Sequence, residues 1–165
     1  HTLLARLWGA NNIVVSDVNE FRLKFVEKYG VTAVNLNLEK LDDVINNNTE
    51  SFGVDVTILA TGSMKAFESS LRITRRGGKI LLFGVPSVGS KCDLDLNSLY
   101  SNEQIIIPSY GASEIETNQA LSLMSDKSID LLPLVTHRFQ LRESDNAFKC
   151  AHEAVDAMKV LVVTS

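Results

Sequence analysis

The sequence is poor in the features that mark several classes of protein. It has two cysteines, Cys92 and Cys150, far apart in 165 residues. We therefore expect no disulfide framework and no cysteine-based zinc site, but a reducing, cytoplasmic compartment. No apolar run in the sequence approaches the roughly 18 residues of a membrane span. The net charge of −4 is mild, which argues against nucleic acid or an anionic membrane as a partner.

A glycine-rich phosphate loop is also missing from the place where it would be expected. Asp17 closes the hydrophobic run Ile13-Val14-Val15-Ser16. In dinucleotide-binding βαβ units such an acid accepts hydrogen bonds from the adenosine ribose, and the glycine loop lies about 20 residues earlier. Counting back from Asp17 passes His1. We therefore expect the loop and the first strand to precede His1, so that the chain begins inside the first helix.

Helical and strand patterns alternate along most of the chain. Helical spacing of apolar residues is found at 19–29, 38–47, 66–73 and 114–125, and short apolar runs at 32–35, 54–60, 79–83 and 104–107. These runs are too apolar for strands with a solvated face, so we expect helices on both sides of the sheet. The alternation predicts an α/β fold with a doubly wound parallel sheet, a Rossmann fold that lacks its first strand and glycine loop.

The last segment departs from this alternation. Residues 131–139 form a proline-containing extended stretch, followed by a helical pattern at 143–153 and a strand at 160–163. We therefore predict a dinucleotide-binding domain at 1–128, incomplete at its N-terminus. Residues 129–165 are predicted to pack on a part of the protein outside this chain.

Small and polar residues follow three further predicted strands. The segments are Thr61-Gly62-Ser63, Gly84-Val85-Pro86 and Pro108-Ser109-Tyr110-Gly111. Ligands of doubly wound sheets bind at the carboxyl ends of the strands, where glycine allows close approach and a hydroxyl can donate. Each segment alone is a weak signal, because glycine after a strand usually marks a turn. Together with Asp17 they favour a nucleotide site.

The order of these motifs resembles a known family. The chain carries Asp17-Val18-Asn19 with Arg22, then Ala60-Thr61-Gly62, Gly77-Gly78-Lys79, Phe83-Gly84-Val85-Pro86, Ser109-Tyr110-Gly111 and Val135-Thr136-His137-Arg138-Phe139. This set resembles the medium-chain dehydrogenase/reductases, and more closely the zinc-dependent alcohol, polyol and threonine dehydrogenases. The resemblance covers essentially the whole chain and corresponds to roughly the C-terminal half of such an enzyme. Residues 129–165 would then return to its catalytic domain.

The resemblance implies a set of cofactor-binding residues. Asp17 matches the ribose-binding acid, and a carboxylate there repels a 2′-phosphate, so NAD is favoured over NADP. Arg22 matches a basic residue beside the adenosine, and Lys159 one that can reach the pyrophosphate. The remaining matches line the cofactor cleft or the nicotinamide: Thr61, Gly62, Phe83, Gly84, Val85, Ser109 and Tyr110.

The implied reaction is hydride transfer between NAD and a secondary alcohol or polyol. No residue of the chain matches a catalytic base or a metal ligand, so zinc is expected in the absent N-terminal half. His137 matches a structural position in the family. Pro108 stands where relatives commonly have glycine, and proline lacks an N–H. Related enzymes extend their sheets across a two-fold axis, so a homo-oligomer, a dimer or tetramer, is expected.

Two alternatives remain open from the sequence. One is a zinc-free quinone or enone reductase of the same superfamily that uses NADPH, against which Asp17 argues. The other is a non-catalytic nucleotide-sensing Rossmann module, which would be complete in about this length and should carry its own glycine loop.

Overall fold

The computed structural model describes residues 1–164, in which helices and strands alternate. Their order is α1 (Thr2–Leu7), β1 (Val14–Asp17), α2 (Glu20–Glu27), β2 (Thr32–Asn35), α3 (Leu41–Asn48), β3 (Val54–Leu59), α4 (Met64–Ile73), β4 (Thr74–Leu82), α5 (Leu96–Ser101), β5 (Ile105–Pro108), α6 (Glu114–Ser125), β6 (Val135–Gln140), α7 (Ser144–Glu153) and β7 (Lys159–Val163). Two 3₁₀ turns, Leu132–Leu134 and Leu141–Glu143, flank β6. No helix within residues 1–164 has the length and hydropathy needed to cross a bilayer.

The chain divides into two compact units. Unit 1 comprises His1–Leu38 and residues 112–164, and unit 2 comprises Glu39–Gly111. Unit 1 therefore includes residues on both sides of the boundary near residue 128. That boundary stays a prediction, because it concerns a domain expected to extend beyond this chain.

Unit 2 is built on a three-stranded parallel sheet in the order β3-β4-β5. Leu59 and Ile80 on the sheet and Phe67 on α4 form its buried cluster. Ser63 begins α4, because its side chain accepts a hydrogen bond from the Ala66 N–H and so satisfies a donor that has no partner within the helix.

Unit 1 contains two separate pairs of parallel strands, β1-β2 and β6-β7. Leu23 of α2 and Val34 of β2 are both buried, and α2 packs on this strand pair. Helix α7 packs on the other pair, where its Ala147 and Ala157 of the following loop are buried.

The structure corrects two expectations about the elements. The six-residue helix α5 has no counterpart in the sequence prediction, and β4 begins at Thr74, ahead of the predicted Lys79. Strand β4 begins early because Thr74 pairs with Val54, while the next matched pair is Val56 with Lys79.

Two strand residues of unit 2 are only partly covered by the described residues. Val56 is 53% exposed and Ile105 is 48% exposed. Their β-strand pattern is correct, but no described residue of the chain covers these side chains fully.

Candidate functional site

In unit 2, the three predicted segments that follow β3, β4 and β5 begin at strand ends that lie side by side in the sheet. Leu59 at the end of β3 pairs with Leu82 of β4, and Leu82 pairs with Pro108 of β5. Backbone hydrogen bonds also join the residues just after these paired strand ends. The Gly84 N–H donates to the Leu59 carbonyl at 2.6 Å, and the Ser109 N–H donates to the Leu82 carbonyl at 3.0 Å. The structure thus gathers Thr61, Gly62, Phe83, Gly84, Val85, Ser109 and Tyr110 at one edge of one sheet.

The loops after β3 and β4 interlock through two glycines. A Cβ atom on Gly84 would lie 2.4 Å from the backbone N and C atoms of Thr61. A Cβ atom on Gly62 would lie 2.3 Å from the Val85 carbonyl oxygen. Neither position has room for a side chain, so glycine is required by the approach of two backbones. The close approach that the sequence suggested for a ligand is therefore made by the neighbouring loop.

The side chains at this edge give it an apolar, accessible surface. Phe83 is 50% exposed, Val85 70% and Tyr110 91%. Thr61 Oγ1 accepts a hydrogen bond from the Ser63 N–H at 3.3 Å, while its hydroxyl hydrogen stays available to donate. An aromatic or amide-bearing ring could lie on such a surface and be oriented by a few polar groups.

Pro108 is the last residue of β5. β5 is an edge strand of the three-stranded sheet. Proline removes a backbone donor, which is tolerated at an edge because one side of the strand has no partner strand in the sheet.

Asp17 is held at the end of β1 by its own chain. Its Oδ1 atom accepts hydrogen bonds from the Val18 N–H at 2.7 Å and the Asn19 N–H at 3.0 Å. Its Oδ2 atom lies 3.4 Å from Nη1 of Arg22, and the Asp17 side chain remains 26% exposed. The carboxylate is thus fixed in direction and still has lone pairs that can accept hydrogen bonds from hydroxyl groups.

Lys159 also lies in unit 1, as the first residue of β7. Its side chain is exposed, and its backbone oxygen is 3.4 Å from the Thr136 hydroxyl. His137, on the neighbouring strand, stacks on Phe139 with ring centroids 6.4 Å apart and has Nδ1 3.0 Å from Thr136 Oγ1. These contacts are of the kind expected for the structural place that was predicted for His137.

The sequence motif around Asp17 includes Asn19, for which no role was predicted. In the structure its side-chain oxygen accepts a hydrogen bond from the Arg22 N–H and so caps the start of α2. Its side-chain nitrogen donates to the carbonyls of Ala154 and Val155. The first role could have been found from an asparagine just ahead of an apolar helix, whereas the second depends on residues far along the chain.

A metal site does not accompany these residues. Within residues 1–164 no three His, Cys, Asp or Glu side chains come together as a possible metal site. A cleft of about 420 Å³ in unit 1 is lined by residues of α1, by Tyr29 just after α2, and by residues of the segment 128–133. It contains none of the predicted cofactor-binding residues.

Comparison with known proteins identifies a family model that matches most of the chain. Residues 2–126 match the family model described as zinc-binding dehydrogenase. L-Threonine 3-dehydrogenase of Vibrio vulnificus (strain CMCP6) is 33% identical over 159 residues, which cover 96% of this chain and 46% of that relative. The chain thus spans about half the length of the curated relatives it matches.

Solved structures agree on the fold. An alcohol dehydrogenase from Thermus sp. ATN1 matches with a TM-score of 0.91 at 21% identity, covering 99% of this chain and 47% of that one. A protein from Sinorhizobium meliloti 1021, described as bound to NADP, matches with a TM-score of 0.81 at 24% identity, covering 98% and 48%. These likenesses confirm the predicted Rossmann-like α/β class.

Proposed function

The chain belongs to the zinc-binding dehydrogenase family, and from this premise we propose that it is the cofactor-binding half of an NAD-dependent alcohol or polyol dehydrogenase. Its substrate would be a secondary alcohol or polyol, bound largely by residues outside this chain. The enzyme would be cytoplasmic. We also propose a homo-oligomer, a dimer or tetramer, because β5 is an edge strand that still exposes Ile105 and Ile107 and could be extended by a second copy.

The arrangement of Asp17 carries this proposal. A carboxylate whose Oδ1 atom is occupied by two backbone N–H groups presents its remaining acceptors in a fixed direction, as the vicinal hydroxyls of a ribose require. The same negative charge would repel a 2′-phosphate. Arg22 lies beside it and partly balances that charge. These features support NAD over NADP.

Within unit 2, the strand-end residues are proposed to contact the nicotinamide. The exposed side chains of Phe83, Val85 and Tyr110 can contact the nicotinamide ring, while Thr61 and the backbone beside Gly84 and Ser109 can form hydrogen bonds to polar groups. The bound nicotinamide supplies hydride transfer, and the residues of this chain bind it, orient it and limit the access of water. The interlocked loops fix these groups before the cofactor arrives, which lowers the entropy lost on binding.

The catalytic zinc would lie outside this chain. Because no fitting donor set occurs in residues 1–164, the metal is proposed to be held in the other half of the enzyme. The residues of this chain would therefore act on the cofactor and not on the metal.

Exchange of the Asp17 carboxylate for an amide tests the proposal in the full enzyme. We expect Asp17→Asn to lower kcat/KM for NAD by about 10- to 100-fold, as for loss of one hydrogen bond to a charged group. The activity with NADP should change less. Asp43→Asn is the matched control, since it removes an exposed carboxylate of α3. Unchanged kcat/KM in Asp17→Asn, or a wild-type preference for NADP, would contradict the proposal.

That experiment also separates the two alternatives. A wild-type preference for NADPH with a quinone or enone would favour the zinc-free reductase. Nucleotide binding without turnover of any alcohol or polyol would favour the sensing module.

A further inference from the structure

One amide side chain connects two distant parts of unit 1. Asn19 Nδ2 donates to the Ala154 carbonyl at 3.0 Å and to the Val155 carbonyl at 3.1 Å. Its Oδ1 accepts from the Arg22 N–H at 3.2 Å. The Asn19 side-chain oxygen therefore caps α2, while its side-chain nitrogen binds a segment 135 residues away.

That segment is the turn between α7 and β7, residues 154–158, which we term the tail loop. Ala154 has a left-handed conformation with φ of 47° and ends α7. Ala157 is 4% exposed, and the Met158 N–H donates to Thr136 Oγ1 at 3.0 Å. The tail loop is thus bound by Asn19 at one end and by Thr136 at the other.

Asn19 bonds to one residue that is expected to bind the cofactor and to the loop that precedes another. The Asn19 N–H donates to Asp17 Oδ1, and Lys159 directly follows the tail loop. Asn19 thus bonds to Asp17 through its backbone N–H and, through its side chain, to the loop that precedes Lys159.

We infer that Asn19 is a positioning residue that holds the tail loop, and with it Lys159, beside the strand end that carries Asp17. This inference rests on the proposed function, because the benefit of that placement is cofactor binding. It adds a residue whose amide donor sets the geometry of groups that would contact the cofactor.

Asn19→Asp separates the two roles of the side chain. Aspartate begins a helix about as well as asparagine, so α2 is retained. The carboxylate has no N–H to donate, however, and places a negative charge against the carbonyls of Ala154 and Val155. Asn37→Asp is the matched control, since Asn37 Nδ2 donates to the Val18 carbonyl at 3.1 Å and has no part in the tail loop.

The first measurement is hydrogen exchange of the full enzyme without cofactor. In Asn19→Asp the amides of residues 154–158 should exchange on the order of tenfold faster, as expected for a local opening that has lost one or two hydrogen bonds. In Asn37→Asp these amides should exchange as in the wild type. Equal exchange in Asn19→Asp and the wild type would overturn the inference.

The second measurement is kinetic. Asn19→Asp should raise KM for NAD by about tenfold and leave kcat within about twofold, because the proposed effect is on binding. A double-mutant cycle with Lys159→Gln should be non-additive if Asn19 acts through the tail loop. An unchanged KM, or strictly additive losses, would overturn the inference.

The two measurements keep this inference distinct from the proposed function. If the wild-type enzyme binds no nicotinamide nucleotide, the proposed function fails. If it binds one and Asn19→Asp leaves KM unchanged, only the positioning role fails. Asn19→Ser, which keeps a capping oxygen without a charge, provides the same test if the aspartate variant does not fold.

Discussion

The two units of the chain differ in how the segments next to the predicted cofactor-binding residues are joined. Unit 2 has a buried apolar cluster of Leu59, Phe67 and Ile80, and its strand-end loops interlock backbone to backbone. Unit 1 has two separate strand pairs, and distant segments are joined by side-chain bonds to backbone carbonyls, as from Arg6 to Gly30 and from Asn19 to the tail loop. The edge proposed for the nicotinamide is therefore fixed by shape, while the adenosine side depends on a few polar bonds.

Because of this difference, we expect the two units to be destabilised by different kinds of substitution. Removing buried volume or adding an atom should damage unit 2 most, because close-packed regions lose contacts or are forced apart. Unit 1 should respond most to the loss of single polar groups, because a buried or half-buried N–H left without a partner carries a desolvation cost.

The largest effect is expected from Ile80→Ala, which tests whether the apolar cluster supports unit 2. Ile80 is fully buried, so the variant should lower the free energy of unfolding by about 2–5 kcal/mol through lost burial and an unfilled cavity. Denaturant unfolding of the enzyme measures the loss, and hydrogen exchange shows whether it is confined to residues 39–111. Val88→Ala, at a fully exposed position, should change stability by less than about 0.5 kcal/mol. Equal losses in the two variants would contradict the prediction.

Gly84→Ala tests whether the close approach of the two interlocked loops stabilises unit 2. The added Cβ would lie 2.4 Å from backbone atoms of Thr61, so one loop must shift, at a cost of about 3 kcal/mol, the upper part of the usual range for overpacking. The free energy of unfolding from denaturant titration measures this cost. Ser87→Ala, an exposed residue of the same loop, should change it by less than about 0.5 kcal/mol. A stable Gly84→Ala variant with wild-type KM for NAD would show that the loops can separate freely.

Thr136→Val examines a polar link of unit 1. The hydroxyl accepts a hydrogen bond from the Met158 N–H at 3.0 Å, and valine keeps the shape but leaves that donor without a partner. We expect a loss of about 1–2 kcal/mol and faster exchange of the Met158 amide. Thr32→Val, on the exposed side of β2, is the control, with an expected change below about 0.5 kcal/mol. If Thr136→Val behaves like Thr32→Val, the dependence of unit 1 on polar links is overstated.

The smallest effect concerns pH and the start of α6. The Ser113 hydroxyl and backbone N–H donate to the Glu116 carboxylate and hold its pKa below the ordinary value of 4.5. Because the folded-state pKa is lowered, this stabilisation is complete above about pH 4.5 and is lost as pH falls through the folded-state pKa. Hydrogen exchange of residues 114–118 between pH 6 and 3, corrected for intrinsic rates, should show this fraying. Glu116→Gln keeps the reciprocal bonds without titrating, so its α6 should be insensitive over the same range.

Local signals indicated much of the fold. Strand β2 (Thr32–Asn35) and helix α6 (Glu114–Ser125) have the bounds predicted from their residue patterns. The six residues of α5 are too few for a periodic pattern to stand out, although Asp95 offers a capping side chain to the N–H groups of Asn97 and Ser98. The early start of β4 depends on pairing with β3, which no pattern within 74–78 can reveal.

The candidate site was predictable to a smaller extent. Its positions came from the order of motifs and from the resemblance, and every cofactor-binding assignment, from Asp17 to Lys159, stays a prediction. Contacts between distant segments were not visible in the sequence, because nothing near Gly62 indicates that Val85 lies against it. The same holds for Asn19, whose link to Ala154 spans 135 positions.

The interlock of Gly62 and Gly84 has a consequence for how such a chain can change over generations. Each glycine makes room for the backbone of the other loop, so a side chain at either position, or an insertion in one loop alone, is harmful until the other loop moves as well. The two segments should therefore be inherited, exchanged and lengthened together. Sequence variation is then directed away from this edge, towards positions whose neighbours are free to move.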